Sequence, residues 1–236
     1  VLSSRSYHVA HSSYYLDEDE GKAREIDLRA LLNVPVYTPH GERMVRHCLL
    51  VECKKSSNKP WVFFCSPEGS YDAGFWETPF LPDIDLLDEY NVQAIRQIHP
   101  LAQSNIRGRS FYEAFKGVES NETIFGAIMT AVKATRHAVR TRFGYAPGHD
   151  LCFYYPMIVF EGDMFQATIE ASATAVQPID SCLVSFLYER PEGTARFTVP
   201  VIRENGLKPV LDSLEETLRA YGTIAATKSA RVFGNQ

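Results

Sequence analysis

The segment Leu49 to Phe64, LLVECKKSSNKPWVFF, constrains the fold of this chain more than any other. Its flanks, Leu49-Leu50-Val51 and Val62-Phe63-Phe64, are apolar and rich in β-branched and aromatic residues, the composition of central strands buried on both faces. The KSSN between them is turn-forming chemistry. The segment therefore predicts two strands in the interior of a sheet. Into the first strand are set two opposite charges, Glu52 and Lys54. Side chains alternate along a strand, so these two share one face while Cys53 points the other way. Charges in an apolar frame are costly unless they are paired or complete a larger cluster.

The surrounding pattern supplies the rest of the sheet. Tyr7 to Leu16 and Arg24 to Leu32 read as strands joined by the acidic DEDEGK, an exposed hairpin turn with solvated charges. Arg46 to Lys54 and Pro60 to Cys65 give two more. From Ser66 to Ser110 the pattern is irregular, with a helix around Asp85 to Ile98. Ile124 to Phe143 is the clearest helix, with Ile124, Ile128, Ala131, Val132, Thr135 and Val139 along one face and Lys133, Arg136, His137 and Arg140 on the other. LCFYYPMIVFEGDMFQATIE then reads as strand, Gly-Asp turn and strand. Cys182 to Arg190 and Thr194 to Ile202 form a further hairpin, and Pro200 marks its last strand as an edge. Leu207, Leu211, Leu214, Leu218 and Tyr221 predict a terminal amphipathic helix, followed by a polar, frayed tail. The order of elements predicts a mixed α/β or α+β sandwich, with residues 1–236 as a single domain.

Composition narrows the function. A formal net charge of −5 excludes a protein that coats nucleic acid through bulk positive charge, so any such binding must use a local patch. The same-sign residues Lys133, Arg136 and Arg140 are one candidate patch, and Arg107 and Arg109 in the loop-like NIRGRSF are another. No apolar run approaches the roughly 20 residues that span a bilayer, which predicts a cytoplasmic protein. The five cysteines form no Cys-x-x-Cys pair and read as buried free thiols. Trp61 reads as core.

Asp27, in REIDLRALL, is a second acid interrupting a core-like strand. If its strand pairs with that of Glu52, the two carboxylates can hold a hard divalent cation such as Mg²⁺, or Mn²⁺, which keeps several waters for a substrate phosphate. Lys54 then stands where it can stabilise charge developing on a phosphodiester. Glu25 reads equally as an assisting acid or as an ordinary salt-bridge partner.

REID on one strand, ECK on the next, and KPWVFF after it resemble the PD-(D/E)XK nuclease superfamily, the restriction-endonuclease-like fold. The resemblance covers roughly residues 5 to 65. It implies a mixed central sheet flanked by helices, here with additional C-terminal hairpins and a terminal helix. It implies metal binding by Asp27, Glu52 and the main-chain carbonyl of Cys53, catalysis by Lys54, and nucleic acid, DNA rather than RNA, as substrate. Many members carry a helix before the first strand, and a chain starting at Val1 lacks it, so an upstream element is expected to be missing. Two other classes fit the same residues: a degenerate member that binds nucleic acid without cutting, and a protein-interaction or ligand-sensing module on the same fold. In any of these roles a homodimer or a larger multidomain context is expected.

Overall fold

The structure, a computed structural model, describes residues 1–38, 41–65, 80–81, 106–115, 122–143, 150–169, 174–189 and 194–233. The described residues form a mixed α/β arrangement of one large sheet and two α-helices. The strands are β1 (His8–Asp17), β2 (Lys22–Thr38), β3 (Gly41–Lys55), β4 (Trp61–Cys65), β5 (Phe80–Leu81), β6 (Arg107–Glu113), β7 (Asp150–Glu161), β8 (Met164–Ile169), β9 (Thr174–Pro178), β10 (Ser181–Tyr188) and β11 (Ala195–Arg203). Helix α1 spans Glu122–Arg140 and α2 spans Leu207–Phe233. Ten strands run in the order β1-β2-β3-β7-β11-β10-β6-β4-β8-β9, and the short β5 pairs with β7.

β1, β2 and β3 form an antiparallel meander, and β7 adds parallel to β3 over its full length, Met44↔Asp150 to Lys55↔Glu161. The double burial that the apolar runs demand is met by the two helices. Cys48, Leu50, Cys152 and Tyr154 pack with Ala134 and Ala138 of α1. The alternate residues Leu49, Val51, Phe153, Tyr155 and Met157 pack with Leu211, Leu214 and Leu218 of α2. The helices therefore lie on opposite faces of this part of the sheet. α1 ends in a paired turn: Phe143 N–H donates to Ala138 O, Arg142 N–H donates to Val139 O, and Arg142 takes φ 50°, the geometry that satisfies the last carbonyls of a helix. Tyr154 Oη donates to Phe143 O at 2.8 Å, and the Arg29 guanidinium lies 3.9 Å from the Phe143 ring centre, which fixes this end to the sheet.

The other half of the sheet curls. β7 and β8 are joined only by Gly162 and Asp163, yet four strands separate them in the sheet order, so they do not form the hairpin that the Gly-Asp turn predicts. The strands from β7 round to β8 instead close on a shared core of Trp61, Phe63, Ile158, Phe160, Met164, Val199 and Val201, covered by Ile124, Ile128 and Val132 of α1. Trp61 stacks on Phe160 with ring centres 4.0 Å apart, bridging the ends of the curl. A Cβ at Gly162 would stand 2.5 Å from Ser56 O, so only glycine makes this connection without displacing the backbone.

Several expectations require correction. β11 is an interior strand between β10 and β7, not an edge. Pro200 is tolerated because β11 pairs with β7 only from Val201 to Arg203, so no partner on that side needs its missing N–H. Arg107 and Arg109 lie in β6, not in a loop. The terminal helix continues to Phe233, through the stretch that reads as a tail. Cys53 is exposed and Cys65 only partly buried, because both lie near strand ends. The helix expected around Asp85 to Ile98 lies outside the described residues. Among the described residues, no helix is long and apolar enough to cross a membrane.

Candidate active site at the opening of the β2–β3 ladder

The pairing of β2 with β3 runs from Thr38↔Gly41 to Leu28↔Val51 and then stops, while β3 continues beside β7 for four more residues. Among the described residues, β3 beyond Val51 thus has no strand partner on its β2 side. The carboxylate of Asp27 occupies that side: Cys53 N–H donates to Asp27 Oδ2 at 2.7 Å, in place of a backbone carbonyl. Because the N–H and C=O of one extended residue point to the same side, the Cys53 carbonyl faces this edge too.

β2 turns over at Asp27. Leu28 packs with the α2-side cluster, whereas Ile26, two residues away, belongs to the α1-side cluster. Regular alternation would put both on one face. Across the β1–β2 ladder, Ser12 stands opposite Asp27 and takes φ 48°, the only break in an otherwise continuous register. Val9 and Tyr15 of β1 change face across the same point. The reversal accompanies the placement of the Asp27 carboxylate at the edge of β3, on the residue next to Glu52.

Glu52 lies on the α1 side, only 6% exposed, and Lys54 Nζ donates to its Oε1 at 2.5 Å. Lys54 reaches it from a partly solvated position. Burial raises the Glu52 pKa. Lys54 opposes that shift, and the charges of Asp27 and Glu25 reinforce it. The charges of Asp27 and Glu25 therefore act on Glu52, which pairs with Lys54. A divalent cation would offset the repulsion between these carboxylates. Among the described residues, no three His, Cys, Asp or Glu side chains converge as a ready set of metal ligands. A cation here would rest on two carboxylates, the Cys53 carbonyl and water, a donor set suited to Mg²⁺ or Mn²⁺.

The basic face of α1 is engaged elsewhere. The β1–β2 turn folds onto it, and Asp17, with its side chain fully buried, accepts from Lys133 Nζ at 2.8 Å and from Arg24 Nε at 2.7 Å. Lys133 also lies 3.3 Å from Asp19, Arg136 pairs with Asp19 at 3.5 Å, and Arg140 pairs with Glu18 at 2.9 Å. Burial alone would raise the Asp17 pKa, but the hydrogen bonds and charge from Lys133 and Arg24 outweigh it and hold the value below the ordinary range. The acidic turn is thus not a solvated tip but the partner of the basic helix face. Arg107, buried, and Arg109, exposed, lie on β6, four strands from β3 in the sheet.

One residue near the site was not singled out from the sequence. Tyr15 packs beside Ile26 and Leu50, its hydroxyl is buried without a hydrogen-bond partner, and Glu52 is among the charges it feels. Burial pushes its pKa up to about 12. The signal was present in the alternation Ser13, Tyr15, Asp17, three inward positions ending on a buried acid. Comparison with protein-family models, with curated proteins and with solved structures found no match.

Proposed function

We propose that the chain is a metal-dependent nuclease of the PD-(D/E)XK type that hydrolyses phosphodiester bonds of nucleic acid, DNA rather than RNA. The observation that carries this reading is the juxtaposition of Asp27 with Glu52 and Lys54 at the opened end of the β2–β3 ladder. The arrangement of strands supports it: a three-stranded meander, a helix crossing one face, and a fourth strand parallel to β3.

Asp27, Glu52 and the Cys53 carbonyl would hold Mg²⁺ or Mn²⁺, which when bound supplies Lewis-acid polarisation of the phosphate. The residues of the chain do the remainder. Lys54, released from its pairing with Glu52, donates to the non-bridging oxygen on which negative charge grows, or holds the attacking water in line. Glu25, exposed on β2 two residues before Asp27, would assist by orienting a second water. Burial of Glu52 keeps bulk water from that side and strengthens its interaction with Lys54.

The test is cleavage of single- and double-stranded DNA and of RNA with Mg²⁺, with Mn²⁺ and with EDTA, using the wild type, Asp27→Ala, Glu52→Ala and Lys54→Ala. Loss of metal-dependent cleavage in all three folded variants supports the assignment, and full activity in any one of them overturns it. A second reading, binding without cleavage, is favoured by a specific observation: Asp27 already accepts from Cys53 N–H, which reduces its capacity as a metal ligand. Absence of cleavage by a wild type that still binds nucleic acid would select it.

A further inference from the structure

Strands β6, β4, β8 and β9 turn one face to the shared core and the other outward. Trp61, Phe63 and Met164 belong to that core, so by alternation Val62, Phe64, Phe165 and Ala167 point away from it. Register sets the outward residues in two rows. Tyr112, Val62, Phe165 and Pro178 are cross-strand neighbours in one, and Ser110, Phe64, Ala167 and Val176 in the other. Phe64 and Tyr112 are each 37% exposed and Val176 is 58% exposed. None of these positions carries a charge, and Phe64, Tyr112 and Phe165 supply aromatic rings. A nucleic-acid backbone is held by positive charge, which these rows lack. Depletion of charge with enrichment of aromatics marks the centre of a protein–protein interface. Pro178 hinders the alternative, strand addition at the edge. Ile179 N–H donates to Met164 O, so the neighbouring Pro178 turns its backbone to the side of β9 that has no strand partner among the described residues, where it offers no N–H.

We propose that this face binds the same face of a second copy of the chain, about a two-fold axis that runs along the strands between β4 and β8. The occupant follows from self-complementarity in shape and charge. Such an axis sets β4 over β8 of the second copy and β6 over its β9, with the rows in register. Phe64 then meets Ala167, a small residue standing between the more exposed Phe64 and Val176. Val62 meets Phe165, and Tyr112 meets Pro178. Large side chains thus oppose small ones or rings, as facing sheets about 10 Å apart require. Charge agrees. β4 and β8 run parallel, so Lys59 and Asp163, each just before its strand, stand at the same end, and the axis brings Lys59 of one copy to Asp163 of the other. Lys59 has no ion pair within its own chain, and Asp163, 69% exposed, is held only by Arg203 at 3.5 Å. Each contact occurs twice, and the arrangement closes at two copies. Two rows on four strands form the centre of an interface rather than a large one, so dissociation near micromolar concentration is expected. The proposal goes beyond the nuclease reading and does not depend on it.

The experiment is sedimentation of the full chain over a range of concentrations, with a reductant present because Cys53 is exposed. The wild type is expected to pass reversibly from monomer to dimer and no further. Phe64→Ser should weaken the dimer by about thirtyfold, the scale of an interface anchor, and Ala167→Leu should weaken it by raising the floor on which Phe64 rests. Both changes lie on the outward face, so the far-ultraviolet circular dichroism of the monomer should be retained. Lys59→Asp and Asp163→Lys should each weaken the dimer, and the two combined should restore it, an outcome that loss of fold cannot produce. A wild type that stays monomeric overturns the proposal, as does a dimer that survives both Phe64→Ser and Ala167→Leu, or association that continues beyond two copies. Failure of the combined charge swap to recover overturns the two-fold arrangement. Single-stranded DNA binding by a monomeric wild type, lost in Phe64→Ser, would assign the face to bases instead.

Discussion

At Glu52 three influences meet, and their net sign gives a testable pH dependence. Burial raises its pKa above the ordinary 4.5 and outweighs the opposing pull of Lys54, with Asp27 and Glu25 adding to the rise. Between the ordinary and the raised value the native protein binds more protons than the unfolded chain, so this residue makes stability fall as pH rises through that window. Glu52→Gln should therefore flatten the decline in melting temperature above about the ordinary glutamate value. Mg²⁺ or Mn²⁺ should raise the melting temperature of the wild type, more so at higher pH, and leave Glu52→Gln nearly unmoved. A purely structural ion pair predicts the opposite, no metal response and a less stable Glu52→Gln. Lys54→Ala should lower metal-dependent cleavage by roughly 10²- to 10³-fold, as loss of one electrostatic contact to the transition state does, while Lys22→Ala, an exposed lysine in a second Glu-x-Lys triplet, leaves the rate unchanged. The pairing of Glu52 with Lys54 was legible in the sequence because alternation along a strand fixes it. The hydrogen bond from Cys53 N–H to Asp27 was not, since nothing in REID reveals that β2 turns over there.

The acidic β1–β2 turn and α1 behave as one element. Lys133 and Asp17 are 116 residues apart, which explains why the helix shows its polar face in the sequence but not what covers that face. Asp17→Ala leaves Lys133 and Arg24 without their buried partner and should cost about 3 kcal/mol, a fall of roughly 10 °C in melting temperature for a chain of this size. Because the Asp17 pKa is lowered in the fold, its contribution is full above the ordinary aspartate range and is lost as pH falls through the lowered value. The gap between wild type and Asp17→Ala should accordingly narrow in acid. Glu18→Gln combined with Asp19→Asn tests the helix face more gently, since these two partners of Arg140 and Arg136 are partly solvated. If the face also contacts phosphates, that double variant should bind DNA more tightly and with a steeper dependence on salt. An unchanged salt slope would assign the face to holding the turn alone.

Across the whole molecule, the local signals predicted strands and helices well and their neighbours less well. The apolar runs of β3, β4 and β7, and the stripe of α1, are local properties of composition and period. Sheet order is not, because a two-residue turn at Gly162 reads as a hairpin whether or not the sheet curls back to β8. Gly162→Ala probes that closure: the clash with Ser56 O and the Phe160 ring should cost about 1–3 kcal/mol, measured by denaturant titration, whereas the same change at Gly126 should be neutral or stabilising. The parallel pairing of β3 with β7 carries a further consequence, one of time. Leu49 pairs with Tyr155, so more than a hundred residues must be gathered before β7 can dock, whereas the β1–β2–β3 meander needs only near neighbours. Long-range closure of this kind slows folding. The meander should therefore form early and wait with the apolar edge of β3 uncovered, a template for pairing with other chains. Refolding should then be slow and increasingly incomplete as protein concentration rises, with Met157→Ala raising the unfolding rate and Leu50→Ala lowering the folding rate.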